Sequence, residues 1–341
     1  MEWGVTRIPV AVAALYDDLL ARAQEDALAG LGPRESFKQR MIKGRVYWYV
    51  VSPRPSKAHR YIGPDSPELR ARIEAARTRA AEYADRAGLV RALRAAGLPA
   101  PEPRVGRLLA ALADAGVFRL RAVLVGTHAF ICYPAMLGVV LPRALGRTGD
   151  VDVAQDPAVS VHVEDRIDAP ITDILRARVD PRFAPAPDLE GPGVTCAWRA
   201  PGLALELLAS NRGARRTRLP LPALRAHGRA MPFMDYLIRD PVPAAVLHDG
   251  GVLVSVPEPA RFAVHKVVVA ARRGEPGSTK SRKDIAQAAT LIRVLTEDRA
   301  ADLRQAFAEA RGNGPRWRKA LADGLPLLPA DVRARLSAGE A

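Results

Sequence analysis

Two aspartates one residue apart, Asp150 and Asp152, are the residues of this sequence best suited to chemistry. They stand in the apolar run 150–154, which predicts a β-strand. Side chains alternate between the two faces of a strand, so both carboxylates point one way while Val151 and Val153 point the other. Two neighbouring carboxylates repel each other unless a positive charge lies between them, and a divalent cation with oxygen ligands commonly fills that place. The alternative for this short pattern is a solvated strand end.

The segment before the aspartates predicts an anion site. We expect a buried strand over 121–125, a tight turn at Gly126 and Thr127, and a helix over 128–137. A junction of strand, glycine and helix directs backbone N–H groups at whatever lies in front of it. An anion site beside paired acids indicates metal-assisted chemistry on a nucleotide.

A third acid, Glu206, interrupts the apolar run 203–208. A glutamate in the middle of a buried strand is costly unless it is paired or binds a ligand. The alternative is an edge strand on which Glu206 faces water. The glycine turn, the paired aspartates and the later glutamate occur in an order that favours chemistry.

This order of features resembles the nucleotidyltransferase superfamily that includes DNA polymerase beta. More narrowly, the sequence is similar to a bacterial branch of stand-alone nucleotidyltransferases related to the toxins of abortive-infection systems. The resemblance covers roughly residues 101–310, and the segments that carry it are 125–130, 148–154, Glu206, 256–266 and 280–288. Thr127 departs from the usual Ser or Gly. The long separation of Gly126 from Asp150 predicts an inserted loop over 138–149, beside the nucleotide site.

The resemblance implies an enzyme of EC 2.7.7 type. Such an enzyme transfers NMP from an NTP, ATP among them, to an acceptor hydroxyl and releases pyrophosphate. Asp150, Asp152 and Glu206 would bind two Mg²⁺ or Mn²⁺ ions, of which one clamps the triphosphate and the other lowers the pKa of the acceptor hydroxyl. Glu206 would complete the second metal site or serve as the base.

The resemblance also implies a set of residues that bind the nucleotide. Gly126 and Thr127 would position the β and γ phosphates, and Lys266 would neutralise them, unless its stem packs on the helix and its amine stays in water. Asp284 would orient a basic neighbour or act as the acid of a helix's first turn. The predicted nucleotide-binding residues are Gly126, Thr127, Lys266, Arg282, Lys283 and Asp284.

Composition bears on the acceptor and the partners. The net charge is +14, from 51 basic and 37 acidic residues, which indicates either polyanion binding or only a solvated basic surface. The acceptor is expected to be tRNA or another RNA, or a protein, and a cognate antitoxin is a further expected partner. An antibiotic-like small molecule is less favoured as acceptor. The rival reading is a non-catalytic nucleic-acid-binding protein with a degenerate core.

Composition also narrows the class of protein. A chain of 341 residues is long enough for two domains, and no apolar run reaches about 18 residues, so no membrane span is expected. The first residues lack the pattern of a signal peptide. Only Cys132 and Cys196 are present, which argues against a zinc site and a disulfide framework. We therefore expect a cytoplasmic protein.

The predicted fold is α+β, with a polymerase-beta-like core made of a small mixed sheet and helices. Inside the core, a strand is expected over 159–163 and a hairpin over 194–198 and 203–208. The C-terminal part is expected to contain short strands over 233–256, a basic loop over 272–282 and a Pro/Gly-punctuated stretch over 312–329. The regions are an N-terminal accessory region 1–100, a nucleotidyltransferase core 101–220 and a mostly helical C-terminal domain 221–341.

The N-terminal region is predicted to contain a helix over 11–29, a three-stranded antiparallel sheet over 36–62 and a long helix over 67–96. Aromatic residues on the sheet either pack on the neighbouring helices or contact nucleic acid. The basic residues on or beside this sheet are Lys38, Arg40, Lys43, Arg45, Lys57 and Arg60.

Overall fold

The computed structural model describes a mixed α/β chain with several sheets and helices. The described residues are 6–29, 36–42, 44–51, 59–142, 148–162, 165–186, 194–211, 217–273 and 278–338. Within these residues, no helix is both long enough and apolar enough to span a bilayer.

The predicted elements of the N-terminal region are present. They are α1 Val10–Ala29, β1 Ser36–Ile42, β2 Arg45–Val51, β3 His59–Pro64 and α2 Pro67–Ala95. The three strands form an antiparallel sheet in the order β1-β2-β3, which confirms the sequence-based expectation. The hydroxyl of Ser66 accepts a hydrogen bond from the Leu69 N–H and so caps the first turn of α2.

The second sheet lies at the centre of the core. Its strands are β4 Val123–Val125, β5 Asp150–Gln155, β6 Ala184–Pro185, β7 Ala197–Ala200, β8 Leu203–Ser210, β9 Arg218–Leu221 and β10 Ala226–Met231. The main order is β4-β5-β8-β10-β9. Strand β8 is interior: it pairs in parallel with β5 on one side, and with antiparallel β7 and parallel β10 on the other.

One face of this sheet is packed and the other carries the acids. Val151, Val153, Leu205 and Leu207 are fully buried in the main core. Because strand side chains alternate, the residues between them project from the opposite face. The helices of this part of the chain are α3 Pro103–Asp114, α4 Gly126–Phe130, α5 Tyr133–Leu137, α6 Pro157–His162 and α7 Ile171–Arg178.

The strand predicted over 159–163 is wrong, because this part of the chain forms helix α6 and residue 163 lies outside the described residues. Asp156 caps the helix: its carboxylate accepts a hydrogen bond from the Ala158 N–H at 2.8 Å. Pro157 opens the helix, where a missing N–H costs nothing. These local signals outweigh the strand preference of the valines in the segment.

The helix predicted over 128–137 is two short helices, α4 and α5. Pro134 supplies the reason, since it has no N–H to donate to the carbonyl one turn earlier. Gly126 and Thr127, predicted as a turn, form the first turn of α4. Pro134 instead stands in the first turn of α5, where proline is tolerated.

The C-terminal part begins with a short helix and a hairpin and continues as helices. Its elements are α8 Met234–Leu237, β11 Val242–Val246, β12 Val252–Val256, α9 Pro259–Arg272, α10 Thr279–Asp298, α11 Ala300–Gly312, α12 Pro315–Gly324 and α13 Ala330–Ala338. The loop predicted over 272–282 is shorter, because Ser278 caps α10; residues 274–277 lie outside the described residues. The stretch 312–329 contains helix α12, and α8 lies where short strands were expected.

The N-terminal helices pack against the hairpin of β11 and β12. Tyr16 and Leu19 of α1 and Leu93 of α2 form one buried cluster with Ala245 and Leu247. The Ala245 N–H donates a hydrogen bond to the Tyr16 hydroxyl oxygen at 3.1 Å. The boundary predicted at residue 100 therefore lies between parts of the chain that share a core, while the domain boundaries themselves stay a prediction.

The start of the predicted inserted loop pairs with residues that precede α1. The Ile8 N–H donates to the Gly138 carbonyl at 3.0 Å, and the Val140 N–H donates to the Thr6 carbonyl at 2.8 Å. Residues 143–147 of the predicted loop lie outside the described residues.

Substitution Tyr16→Phe tests the contact between α1 and the hairpin. It removes the buried acceptor of the Ala245 N–H, and an unsatisfied buried donor costs roughly 1–2 kcal/mol. We expect urea unfolding, followed by circular dichroism, to show a loss of that size. Unchanged stability would mean that water replaces the hydroxyl.

Candidate active site

The three predicted acids lie together on one face of the central sheet. Asp152 of β5 is directly opposite Glu206 of β8 in a parallel register, and Asp150 stands two residues earlier on the same face as Asp152. Val125, the last residue of β4, is opposite Asp152 on its other side. The chain that leaves β4 therefore enters α4 beside the carboxylates.

Gly126 contacts Asp152 so closely that no side chain fits between them. Its φ is +65°, a value that L side chains rarely adopt. A Cβ placed on Gly126 would lie 2.6 Å from Oδ2 of Asp152. Glycine is thus needed here both for the backbone angle and for space.

The environment of Asp152 disfavours its negative charge. Burial is the largest cause, followed by the carboxylate of Glu206, and with Asp150 these raise the pKa of Asp152 to about 6. Lys266 and Arg229 act in the opposite direction. Burial and the neighbouring acids together therefore disfavour the charged form of Asp152 more than Lys266 and Arg229 favour it.

An ion pair with Arg229 holds Glu206. The guanidinium Nε of Arg229 lies 2.5 Å from Oε1 of Glu206. Because β8 is an interior strand, the edge-strand alternative for Glu206 is wrong. Arg229 was missed by the sequence analysis, since β10 shows no apolar alternation and its parallel pairing with β8 is not local in the sequence.

A second ion-pair group brings Lys266 to the acids. Lys266 of α9 lies 2.6 Å from Oδ1 of the buried Asp284 of α10, and Arg273 lies 2.6 Å from its Oδ2. Both hydrogen bonds of Asp284 thus join it to cations, as expected for a buried carboxylate. Asp284 also acts electrostatically on Lys283. Burial and the charge of Lys266 lower the pKa of Lys283, and the carboxylate of Asp284 acts in the opposite direction.

His128 connects this group to the aspartates. Burial, followed by the charge of Lys283, lowers the pKa of His128 to about 4, while Asp150 acts in the opposite direction. Three segments distant in sequence, around His128, Asp150 and Lys283, therefore interact electrostatically in one place.

The remaining predicted site residues are less closely involved. Thr127 is half-buried in the first turn of α4. Arg282 is exposed on α10, and its guanidinium lies 3.5 Å from the Thr279 hydroxyl. The assignment of both to nucleotide binding stays a prediction.

The chemistry of the acids fits a hard divalent cation. Carboxylate oxygens are the ligands that Mg²⁺ prefers, and burial followed by the carboxylate of Glu206 raises the pKa of Asp152. In the part of the chain that the structure describes, however, no three or more His, Cys, Asp or Glu side chains are arranged as a ready metal site. The three carboxylates are thus suitable ligands for a divalent cation. In this structure, however, the carboxylate of Glu206 is paired with Arg229.

Comparison with known families identifies the family of the chain. Residues 103–312 match a family described as Nucleotidyltransferase, and this range is more than half of the chain. The chain belongs to this nucleotidyltransferase family, which confirms the expected family at that level. No curated protein and no solved structure matches the chain. The matched range includes all the predicted site residues and excludes the sheet of β1, β2 and β3.

The close approach of Gly126 to Asp152 can be tested against a matched control. Gly138 has nearly the same φ, +64°, but nothing lies within 4 Å of the Cβ that alanine would add. Gly126→Ala and Gly138→Ala should both lose stability of about 1 kcal/mol from the backbone angle. Only Gly126→Ala displaces the Asp152 carboxylate, and we expect pyrophosphate release from NTP to fall about 10²-fold. Equal activity of the two variants would contradict the proposed contact.

The raised pKa of Asp152 makes a prediction about stability and pH. The folded protein holds the Asp152 proton more tightly than the unfolded chain, so this contribution to stability is complete below pH about 4 and is lost as pH rises through about 6. Asp152→Asn removes this loss. In urea unfolding with EDTA, the variant should gain stability relative to wild type between pH 4 and pH 7, by about 1–3 kcal/mol. A difference that does not change with pH would exclude the assigned environment.

Proposed function

We propose that the chain transfers NMP from an NTP to a hydroxyl of an RNA acceptor and releases pyrophosphate, on a core of polymerase-beta-like type. The observation that carries the proposal is the placement of Asp152 opposite Glu206, with Asp150 on the same face and Gly126 against Asp152. Membership of the nucleotidyltransferase family supports the general reaction.

In this reaction the acceptor oxygen forms a bond to the α-phosphorus, and the bond from that phosphorus to the bridging oxygen of pyrophosphate breaks. The acceptor hydroxyl loses a proton and the departing pyrophosphate gains negative charge. The site must therefore take up a proton on one side and offset charge on the other.

Asp150 and Asp152, with Glu206, would hold the Mg²⁺ or Mn²⁺ ions, because these carboxylates share one sheet face. Such ions supply the positive charge that binds the triphosphate and lowers the pKa of the acceptor hydroxyl.

Glu206 is the group we assign to the proton of the acceptor hydroxyl. Its Oε1 is in an ion pair with the Arg229 guanidinium. Arg229 thereby holds the Glu206 side chain in one orientation.

Lys266 and Lys283 are assigned to the phosphates. Lys266 is near enough to Asp152 to lower its pKa, and Lys283 acts on His128 beside Asp150. Asp284 fixes the ammonium of Lys266 through their 2.6 Å contact, so the charge is in place before substrate arrives. A positioned cation stabilises negative charge on the departing pyrophosphate at little cost in reorganisation.

Arginine residues on the central sheet favour a polyanionic acceptor over a small molecule. Arg229 and Arg218 are opposite each other in β10 and β9, and both stand on the face that carries Glu206. The acids are thus followed, across the same face, by arginine side chains suited to phosphates. The net charge of +14 agrees with such an acceptor.

Substitutions of the two aspartates test the proposal directly. Asp150→Asn and Asp152→Asn each remove an anionic oxygen ligand, and we expect pyrophosphate release in the presence of Mg²⁺, labelled NTP and total RNA to fall roughly 10²- to 10⁴-fold. Asp302→Asn is a control with the same charge change on an exposed position of α11.

A gel of the same reactions identifies the acceptor. Label that comigrates with RNA agrees with the proposal, whereas label on protein would move the acceptor to a polypeptide and leave the transfer reaction standing. Near-wild-type release by either folded aspartate variant would remove the metal assignment. Absence of any release by the wild-type chain would favour the non-catalytic alternative.

A further inference from the structure

The segment of 29 residues from 36 to 64 has an unusual charge. It contains seven Lys or Arg residues and no Asp or Glu, whereas the whole chain has 51 basic and 37 acidic residues. The strands β1, β2 and β3 lie within this segment, of which residues 43 and 52–58 are outside the described residues. It lies outside residues 103–312, so membership of the nucleotidyltransferase family assigns it no role.

One face of the sheet packs on α2. The Trp48 side chain is 5% exposed, and its indole N–H donates a hydrogen bond to Asp65 at 2.9 Å. The guanidinium of Arg77 in α2 lies 5.5 Å from the centre of the Trp48 ring. Trp48 therefore anchors this part of the sheet, and its neighbours in β2 project from the opposite face.

That opposite face combines aromatic rings with cations. In the register of β1 and β2, Lys38 is opposite Tyr49, and Arg40 is opposite Tyr47. Lys38, Arg40 and Arg45 are exposed, and both tyrosines are half-exposed. The Arg40 guanidinium lies 5.2 Å from the centre of the Tyr49 ring. We call the five residues Lys38, Arg40, Arg45, Tyr47 and Tyr49 the basic aromatic face.

We propose that the basic aromatic face binds a single-stranded RNA segment, with bases stacked on the tyrosines and phosphates beside Lys38, Arg40 and Arg45. We choose a polyanion as the ligand because of charge complementarity: the three strands contain basic residues and no acidic residue. The half-exposed rings favour a single strand, whose bases offer open π-faces that a duplex keeps stacked inside.

The choice of RNA over DNA rests on the proposed acceptor of the transfer reaction. In that reading the face holds acceptor RNA away from the carboxylates and takes no part in bond formation. Two surfaces of the chain would then have different roles. The acids act on one hydroxyl of the RNA, and the sheet of β1, β2 and β3 contributes binding free energy along the RNA strand.

The test measures binding by the full chain without NTP or metal, so that it is independent of transfer. The probe is a fluorescein-labelled, mixed-sequence RNA of about 20 nucleotides, compared with the same sequence as DNA and as duplex RNA. The first variant carries Lys38→Gln, Arg40→Gln and Arg45→Gln. Its control carries Arg304→Gln, Arg311→Gln and Lys319→Gln, which remove the same charge from exposed positions of the C-terminal helices.

We expect wild type to prefer the single-stranded RNA and the sheet variant to bind it at least tenfold more weakly. Loss of three phosphate contacts should reduce the slope of log K against log salt by about two units. The control should keep affinity and slope. Equal losses in both variants, or no loss in the sheet variant, would overturn the proposal.

Substitution of a tyrosine separates stacking from charge. Tyr47→Ala should weaken binding roughly 5- to 100-fold, while Tyr47→Phe retains the aromatic ring and should bind nearly as wild type. Circular dichroism of each variant checks that the sheet remains folded.

A preference for duplex, or for DNA over RNA, would overturn the assignment of a single RNA strand. Binding only to anionic phospholipid vesicles would overturn it in favour of a membrane surface.

Substitutions on the sheet and substitutions at the acids distinguish failure of the RNA-binding proposal from failure of the proposed reaction. If the sheet variant loses RNA binding while Asp152→Asn retains it, the face binds RNA whether or not the chain transfers NMP. If transfer to RNA proceeds normally in the sheet variant, the face is not where the acceptor binds and the proposal is wrong, although the proposed reaction remains.

Discussion

The mutual repulsion of three carboxylates on one sheet face is the constraint on which the site depends. Pairing β5 with β8 in parallel places Asp152 opposite Glu206, and strand alternation adds Asp150. Burial makes this repulsion stronger than it would be in water. Arg229 forms an ion pair with Glu206, and Lys266 lies near enough to Asp152 to lower its pKa. Burial and the acidic neighbours still raise the pKa of Asp152 to about 6.

The C-terminal helices matter to the site because they hold one of those cations. Asp284 is buried and joins Lys266 of α9 to Arg273 just beyond that helix. The start of α9 is tied in turn to the core, since the Tyr133 hydroxyl of α5 donates to the Pro257 carbonyl at 3.0 Å. A change in the packing of α9 and α10 would therefore alter the charge next to Asp152 without touching the sheet.

Much of the site could be predicted from the sequence because its signals are local. Alternation in β5 and the cost of a lone glutamate in an apolar run identified Asp150, Asp152 and Glu206 from a few residues each. The partners of those acids could not be predicted in this way. Arg229 reaches Glu206 only because β10 pairs with β8, and Lys266 meets Asp284 only through the packing of two helices. Local patterns also failed at α6, where a cap at Asp156 outweighs the strand preference of valine.

The central claim is that divalent cations and the NTP meet at the carboxylates of Asp150 and Asp152. The most direct measurement is a crystal structure of the chain with Mn²⁺ and a non-hydrolysable NTP analogue, in which anomalous scattering locates the manganese. The account predicts manganese at about 2.0–2.3 Å from oxygens of Asp150 and Asp152, with the triphosphate next to Lys266. A bound analogue with its manganese on other residues, and none on these aspartates, would contradict it.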